Sequence, residues 1–84
     1  MGTKNPWDAR RQLLVSVLRQ TREEAGLKQS EVAERLGTHQ SFVSKYETGE
    51  RRLDLVELEQ ISSAIGTTLP NLVAAYWRAR EKLK

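Results

Sequence analysis

The stretch Gln29–Thr48, QSEVAERLGTHQSFVSKYET, decides how the rest of the chain is read. It describes two short helices joined by a tight turn. Val32, Ala33 and Leu36 share one apolar helix face. Gly37 follows at once, where the chain must leave the helix and a left-handed backbone costs least without a Cβ. Thr38 is the expected N-cap of the next helix, its hydroxyl placed to accept a backbone N–H two or three residues on. Val43 and Tyr46 supply the apolar face of that second helix, and Gly49 closes it. Ala33 falls where the two helices cross closely, and Val32, Leu36, Val43 and Tyr46 fill the angle between them. The outward face of the second helix carries His39, Gln40, Ser41, Ser44, Lys45 and Thr48. It is polar but mostly uncharged. A solvated face favours Glu and Lys, whereas a face that reads base edges favours Gln, Asn, Ser, Arg and Lys.

Working outward, Asn5-Pro6-Trp7-Asp8 is a helix start: Asn at the N-cap, Pro at the first helical position, Asp in the first turn. Met1–Lys4 precede it as a disordered end. Helix one is expected to reach about Ala25, with Gly26 ending it and Trp7, Leu14, Val17, Leu18, Thr21 and Ala25 facing inward. Leu13 and Val15 widen that stripe, so the helix either packs on two sides or offers a contact patch. Helix two spans Gln29–Leu36 and helix three His39–Thr48. Glu50–Leu53 form a loop. Asp54-Leu-Val-Glu57 is a capping-box start for helix four. That helix runs to about Ile65 with Leu55, Leu58, Ile61 and Ile65 on one face, and Gly66 ends it. Helix five starts at Thr67-Thr68-Leu69-Pro70, where Pro is tolerated in the first turn. Its stripe is Leu69, Leu72, Val73 and Tyr76, and it turns polar after Trp77. The reading is all-α, with residues 1–4 outside one domain over residues 5–84.

Composition narrows the function. A chain of 84 residues makes one small domain with a limited core, so dimerisation or regular helix packing is an expected support. There is no Cys, which excludes disulfide staples and thiolate metal sites and suits a cytoplasmic setting. No apolar run approaches the roughly 20 residues that span a bilayer, and MGTKNPWDARRQ holds no signal-peptide core. A formal net charge of +3 permits nucleic-acid binding without establishing it, and Glu23, Glu24, Glu31 and Glu34 crowd the first half. One His, no Gly-rich phosphate loop and no confined carboxylate pair argue against an enzyme, a metal or a cofactor. Nothing points to a small-molecule ligand.

At these residues the chain resembles the helix-turn-helix regulators of the lambdoid repressor and Cro type, the XRE family. The resemblance runs from about Leu14 to Leu72. It rests on Arg22-Glu-Glu-Ala-Gly-Leu-Lys-Gln29, Val32-Ala33, Leu36-Gly37, Val43-Ser44 and Glu47-Thr-Gly49. It implies a five-helix, lambda-repressor-like DNA-binding domain whose helix-turn-helix is formed by helices two and three. It implies a sequence-specific regulator of double-stranded DNA, a repressor by occlusion, working as a homodimer on a pseudo-palindrome. The other reading is a protein-interaction module that kept the fold without the DNA contact.

The resemblance also assigns roles. The residue matching Gln29 binds a backbone phosphate and braces a Gln on the recognition helix, here Gln40. The residues matching Arg22 and Glu47 form a partly buried salt bridge between helices one and three. Gln40, Ser41 and Lys45 are the expected base readers, because Gln can pair with adenine and Lys with guanine acceptors. His39 can bond a phosphate or a base, and Ser44 a phosphate or its packing neighbours. Lys28, Arg51 and Arg52 are expected at phosphates, or else as solvated charges, the two arginines with Glu50 and Asp54. Phe42 either meets a thymine methyl or sugar, or covers the edge of the core, the preferred reading. Trp77, adjacent to Tyr76, is expected on an outer face: Tyr76 and Trp77 are a candidate dimer contact, or Trp77 folds back near Trp7.

Overall fold

The structure, a computed structural model, describes residues 6–82 and the side chains of 9–82. The expected N-cap Asn5, the end Met1–Lys4 and the Trp7 side chain lie outside the described residues. Five helices follow in order: α1 Pro6–Glu24, α2 Gln29–Leu36, α3 Gln40–Thr48, α4 Leu55–Ala64 and α5 Leu69–Lys82. α2 crosses α3, α1 packs against both α3 and α5, and α4 bridges α2 and α5. Helix one therefore packs on two sides, which is why Val15 is buried along with Val17 and Leu18.

The core gathers one stripe from every helix: Val17 and Leu18, Val32 and Ala33, Val43 and Tyr46, Ile61 and Ile65, and Leu72. Each large aliphatic side chain buried in this way contributes about 1.5–3 kcal/mol. Ala33 is 2% exposed between α2 and α3, so a larger side chain would force those helices apart. Ser62 is wholly buried and its hydroxyl donates to the Leu58 carbonyl at 2.7 Å.

The turn between α2 and α3 differs from expectation in one respect. Gly37 takes φ 70°, and its N–H and that of Thr38 donate back to the Glu34 and Ala33 carbonyls. Thr38 is thus used in closing α2. His39, extended at φ −85° and ψ 151°, takes the cap position of α3 instead, without a side-chain cap bond. Helix three accordingly begins at Gln40. At the far end Gly49 has φ 86°, and a Cβ there would also run into the Gln12 amide from α1.

The Asp54–Glu57 capping box is formed in both directions, at 2.8 and 3.0 Å. At the other end of α4, Arg35 of α2 donates to the Ala64 carbonyl at 2.8 Å, satisfying a helix-end acceptor from outside the helix. Three inward assignments fail, the first being Val73 of α5, which is 50% exposed. Ala25 is exposed in the turn beyond α1, because the helix has already ended at Glu24. Leu55 is 65% exposed, because it sits on the first turn of α4 at the border of the open groove, where none of the described helices covers it. Among the described residues, no helix is long and apolar enough to cross a membrane.

Tyr46 is 1% exposed, and burial pushes its phenol well above the ordinary range, with the Glu47 charge adding to the shift. The unfolded chain releases that proton near the usual value of about 10 while the fold retains it. Stability from this group is therefore complete below pH about 10 and is lost as pH rises past it. Chemical denaturation of wild type and Tyr46→Phe at neutral pH and again at pH about 11 should show the wild type losing more stability between the two conditions.

Candidate nucleic-acid interface

The outward face of α3 is set by its inward anchors. With Val43 and Tyr46 buried, helical geometry sends Gln40, Ser41, Lys45 and Thr48 outward, and all four are exposed, as is His39 at the cap. Ser44 is half-buried beside the core. Lys28 is exposed immediately ahead of α2, and its backbone N–H donates to the Glu31 carboxylate at 2.8 Å. Gln29 opens α2, where free backbone N–H groups favour an anion.

A connected set of polar side chains holds this face. The Arg22 guanidinium grips the Glu47 carboxylate with two bonds, Nε to Oε2 at 2.7 Å and Nη2 to Oε1 at 3.0 Å. Its Nη1 donates to the Leu27 carbonyl at 2.7 Å. One side chain thereby ties α1, the α1–α2 turn and α3. The Glu47 side chain is 3% exposed and that of Arg22 10%. The bonds to Glu47 raise the Arg22 pKa despite burial, which acts the other way. Gln29 Nε2 donates to Glu47 Oε1 at 2.9 Å, and Gln40 Nε2 donates to Gln29 Oε1 at 3.4 Å. The structure thus brings Gln29 and Gln40 together. It adds Glu47 as the partner of Gln29, a contact across 18 residues. No local pattern signals it, because it depends on how α2 crosses α3.

The loop after α3 is arranged differently from the solvated charge group read from the sequence. Arg51 pairs with Glu57, not with Glu50 or Asp54. Its guanidinium lies 4.9 Å over the Phe42 ring. Phe42 in turn meets Tyr46 edge-on at 5.5 Å and packs against the core, so it occupies the core edge. Arg52 is exposed. Glu57 serves twice, in the cap of α4 and as the anchor of Arg51.

Away from this face, α1, α4 and α5 enclose an open apolar groove of about 400 Å³, floored by Leu14, Leu58 and Leu72. Leu55, Val73, Tyr76 and Trp77 border it, with Arg10 and Arg11 at its lip. Tyr76 and Trp77 therefore share one surface instead of facing separate ones. Trp77 is 53% exposed, with the Arg80 guanidinium 4.8 Å over its ring.

A helix entering at Gln29, a glycine corner, and a second helix carrying an exposed polar face define a helix-turn-helix domain. The helix-turn-helix family profile matches residues 18–72. Among solved structures, an XRE-family like protein from Pseudomonas syringae pv. tomato is 44% identical, with a TM-score of 0.78 over 83% of this chain and 85% of that one. A hypothetical transcription factor from Neisseria, NHTF, is 25% identical with a TM-score of 0.72, covering 100% of this chain and 94% of that one. The clp gene regulator ClgR from Corynebacterium glutamicum shares the fold at 21% identity, with a TM-score of 0.75 over 83% and 91% of the two chains. No match was found among curated proteins. The chain belongs to the XRE family of helix-turn-helix proteins.

Removing Arg22 leaves the Glu47 charge buried without a counter-charge, with only the Gln29 amide donating to it. Arg22→Ala is expected to cost about 3 kcal/mol or more. A urea midpoint equal to that of wild type would exclude this role for the pair.

Proposed function

We propose that this protein is a sequence-specific, double-stranded DNA-binding transcription regulator that represses by occluding a promoter. The observation that carries the proposal is the Gln29–Gln40 contact on an exposed, hydrogen-bonding face of α3. A side chain that is exposed yet braced from a second helix has its ordering cost met before a ligand arrives. α3 lies in the major groove with Gln40, Ser41, Lys45 and His39 toward base edges. Gln29, Lys28 and Ser44 hold the backbone from the start of α2 and the side of α3. Arg51 and Arg52 meet phosphates from the loop beyond. The family membership and the similarity to a hypothetical transcription factor support this reading.

Two copies act together on a pseudo-palindrome, which sets their recognition helices about 34 Å apart, one turn of DNA. The Tyr76–Trp77 surface is the proposed dimer contact. A half-exposed Trp beside an open apolar groove is costly to leave in water and suits an interface anchor.

Selection from a randomised duplex pool at two salt concentrations should enrich a two-fold symmetric site, and the Gln40→Ala, Lys45→Ala double variant should lose it. Binding that falls with salt but enriches no sequence would reduce the function to charge attraction. No binding at low salt would instead favour a protein-interaction module. In sedimentation, Trp77→Arg should weaken self-association by about thirtyfold or more, the loss typical of an anchor worth about 2 kcal/mol. An unchanged dimer would place the contact elsewhere.

A further inference from the structure

We propose that the open groove between α1, α4 and α5 is a binding site for a free aliphatic carboxylate, its chain laid in the groove and its head-group on Arg10. Binding there does not depend on the DNA-reading function proposed above. Its effect on the pairing of two copies rests on the dimer contact proposed there.

The site is made by tertiary packing. α5 packs on α1 and on α4, and the groove opens where the three helices meet. Its volume of about 400 Å³ falls within the range of small-molecule sites, roughly 300–1,000 Å³. Leu14, Leu58 and Leu72 form the floor, and the lining surface is almost wholly apolar. At the rim the Arg80 guanidinium lies 4.8 Å over the Trp77 ring and steadies it as a wall.

That lining selects one class of ligand. A sugar or an extended peptide would bury polar groups against it without partners, which is costly. An alkyl chain buries none. The charged side chains of the lining are Arg10 and Arg11, both on α1, and no carboxylate lines the groove. Arg11 already has a partner of its own, whereas Arg10 is exposed at the lip. The planar fork of a guanidinium matches a carboxylate with two parallel bonds. One such group balances one negative charge, which suits a carboxylate better than a phosphate monoester carrying up to about two. Arg10 precedes Leu14 by four residues, so the head-group and the floor lie one turn apart on the same side of α1.

Trp77 is both a wall of this groove and the anchor proposed for the second copy. A chain in the groove and a partner on its rim therefore compete. By linkage, the carboxylate weakens pairing by the same factor as pairing weakens the carboxylate.

Isothermal titration of the purified protein with octanoate, decanoate, decanol and decyltrimethylammonium, each below its micelle concentration, tests the site. Each methylene buried should tighten binding about fourfold, so decanoate should bind about fifteenfold more tightly than octanoate. At low salt decanoate should exceed decanol by about fivefold, near the upper end for an ion pair open to solvent. Decyltrimethylammonium should bind weakest. Arg10→Glu, at an exposed position, should reverse the order of the two charged heads. Equal affinity for decanoate and decanol, or a decanoate preference unchanged in Arg10→Glu, overturns the site and leaves an apolar face suited to a second copy or a partner helix. So does the absence of heat with all four compounds. Sedimentation in saturating decanoate separates this proposal from the dimer contact. Self-association should fall. Binding with no change in self-association keeps the site and moves the dimer contact away from Trp77, and a protein that is monomeric throughout removes the dimer while the site stands.

Discussion

The bond between Arg22 and Glu47 is the constraint on which the rest depends. α3 has nine residues and is held at each end by a short turn. Its apolar face fixes how far it sinks into the core, but apolar contacts are non-directional and leave rotation about its axis loosely set. A bidentate guanidinium–carboxylate pair is directional. It joins the last turns of α1 and α3, and through Leu27 it also holds the turn leading into α2. Burying two charges is costly, so the pair contributes more to the angle of α3 than to net stability. The polar face of α3 points where it does because Glu47 cannot leave its partner.

The five helices divide their labour between two surfaces. α2 and α3 carry the polar face, while α1, α4 and α5 build the core behind it and the apolar groove on another side. Glu57 illustrates how little of the chain is single-purpose. Its carboxylate caps α4 and also holds Arg51, which in turn lies on Phe42 at the edge of α3. A change at the start of α4 therefore reaches α3 in two steps. Gln12 and Gly49 make a similar link from α1, where the absence of a Cβ lets an amide lie against the end of α3.

Much of this was legible in the amino-acid sequence. Helix boundaries come from local chemistry, since caps, glycines and a first-turn proline act within a few residues. The Asp54–Glu57 box and the turns at Gly37 and Gly49 are of that kind. The buried stripes of α2 and α3 are too, because a 3.6-residue period marks the inward face before any partner is known. Where local reading went astray, tertiary or competing local demands intervened. Thr38 was drawn into closing α2, which moved the cap of α3 to His39. Leu55 looked inward by period, but among the described residues no helix lies over the first turn of α4.

The sequence by itself determined five helices, their inward faces, and a polar surface on α3 suited to base edges. The tertiary structure alone decided several polar and aromatic contacts that no local pattern signals. Gln29 reaches Glu47, Arg51 reaches Glu57 and Phe42, and Tyr76 and Trp77 border one groove, because helices crossing at particular angles bring those side chains within bonding distance. Periodicity tells which side of a helix a residue occupies, and carries no information about what stands opposite. That depends on crossing angle and depth, which only the whole core sets.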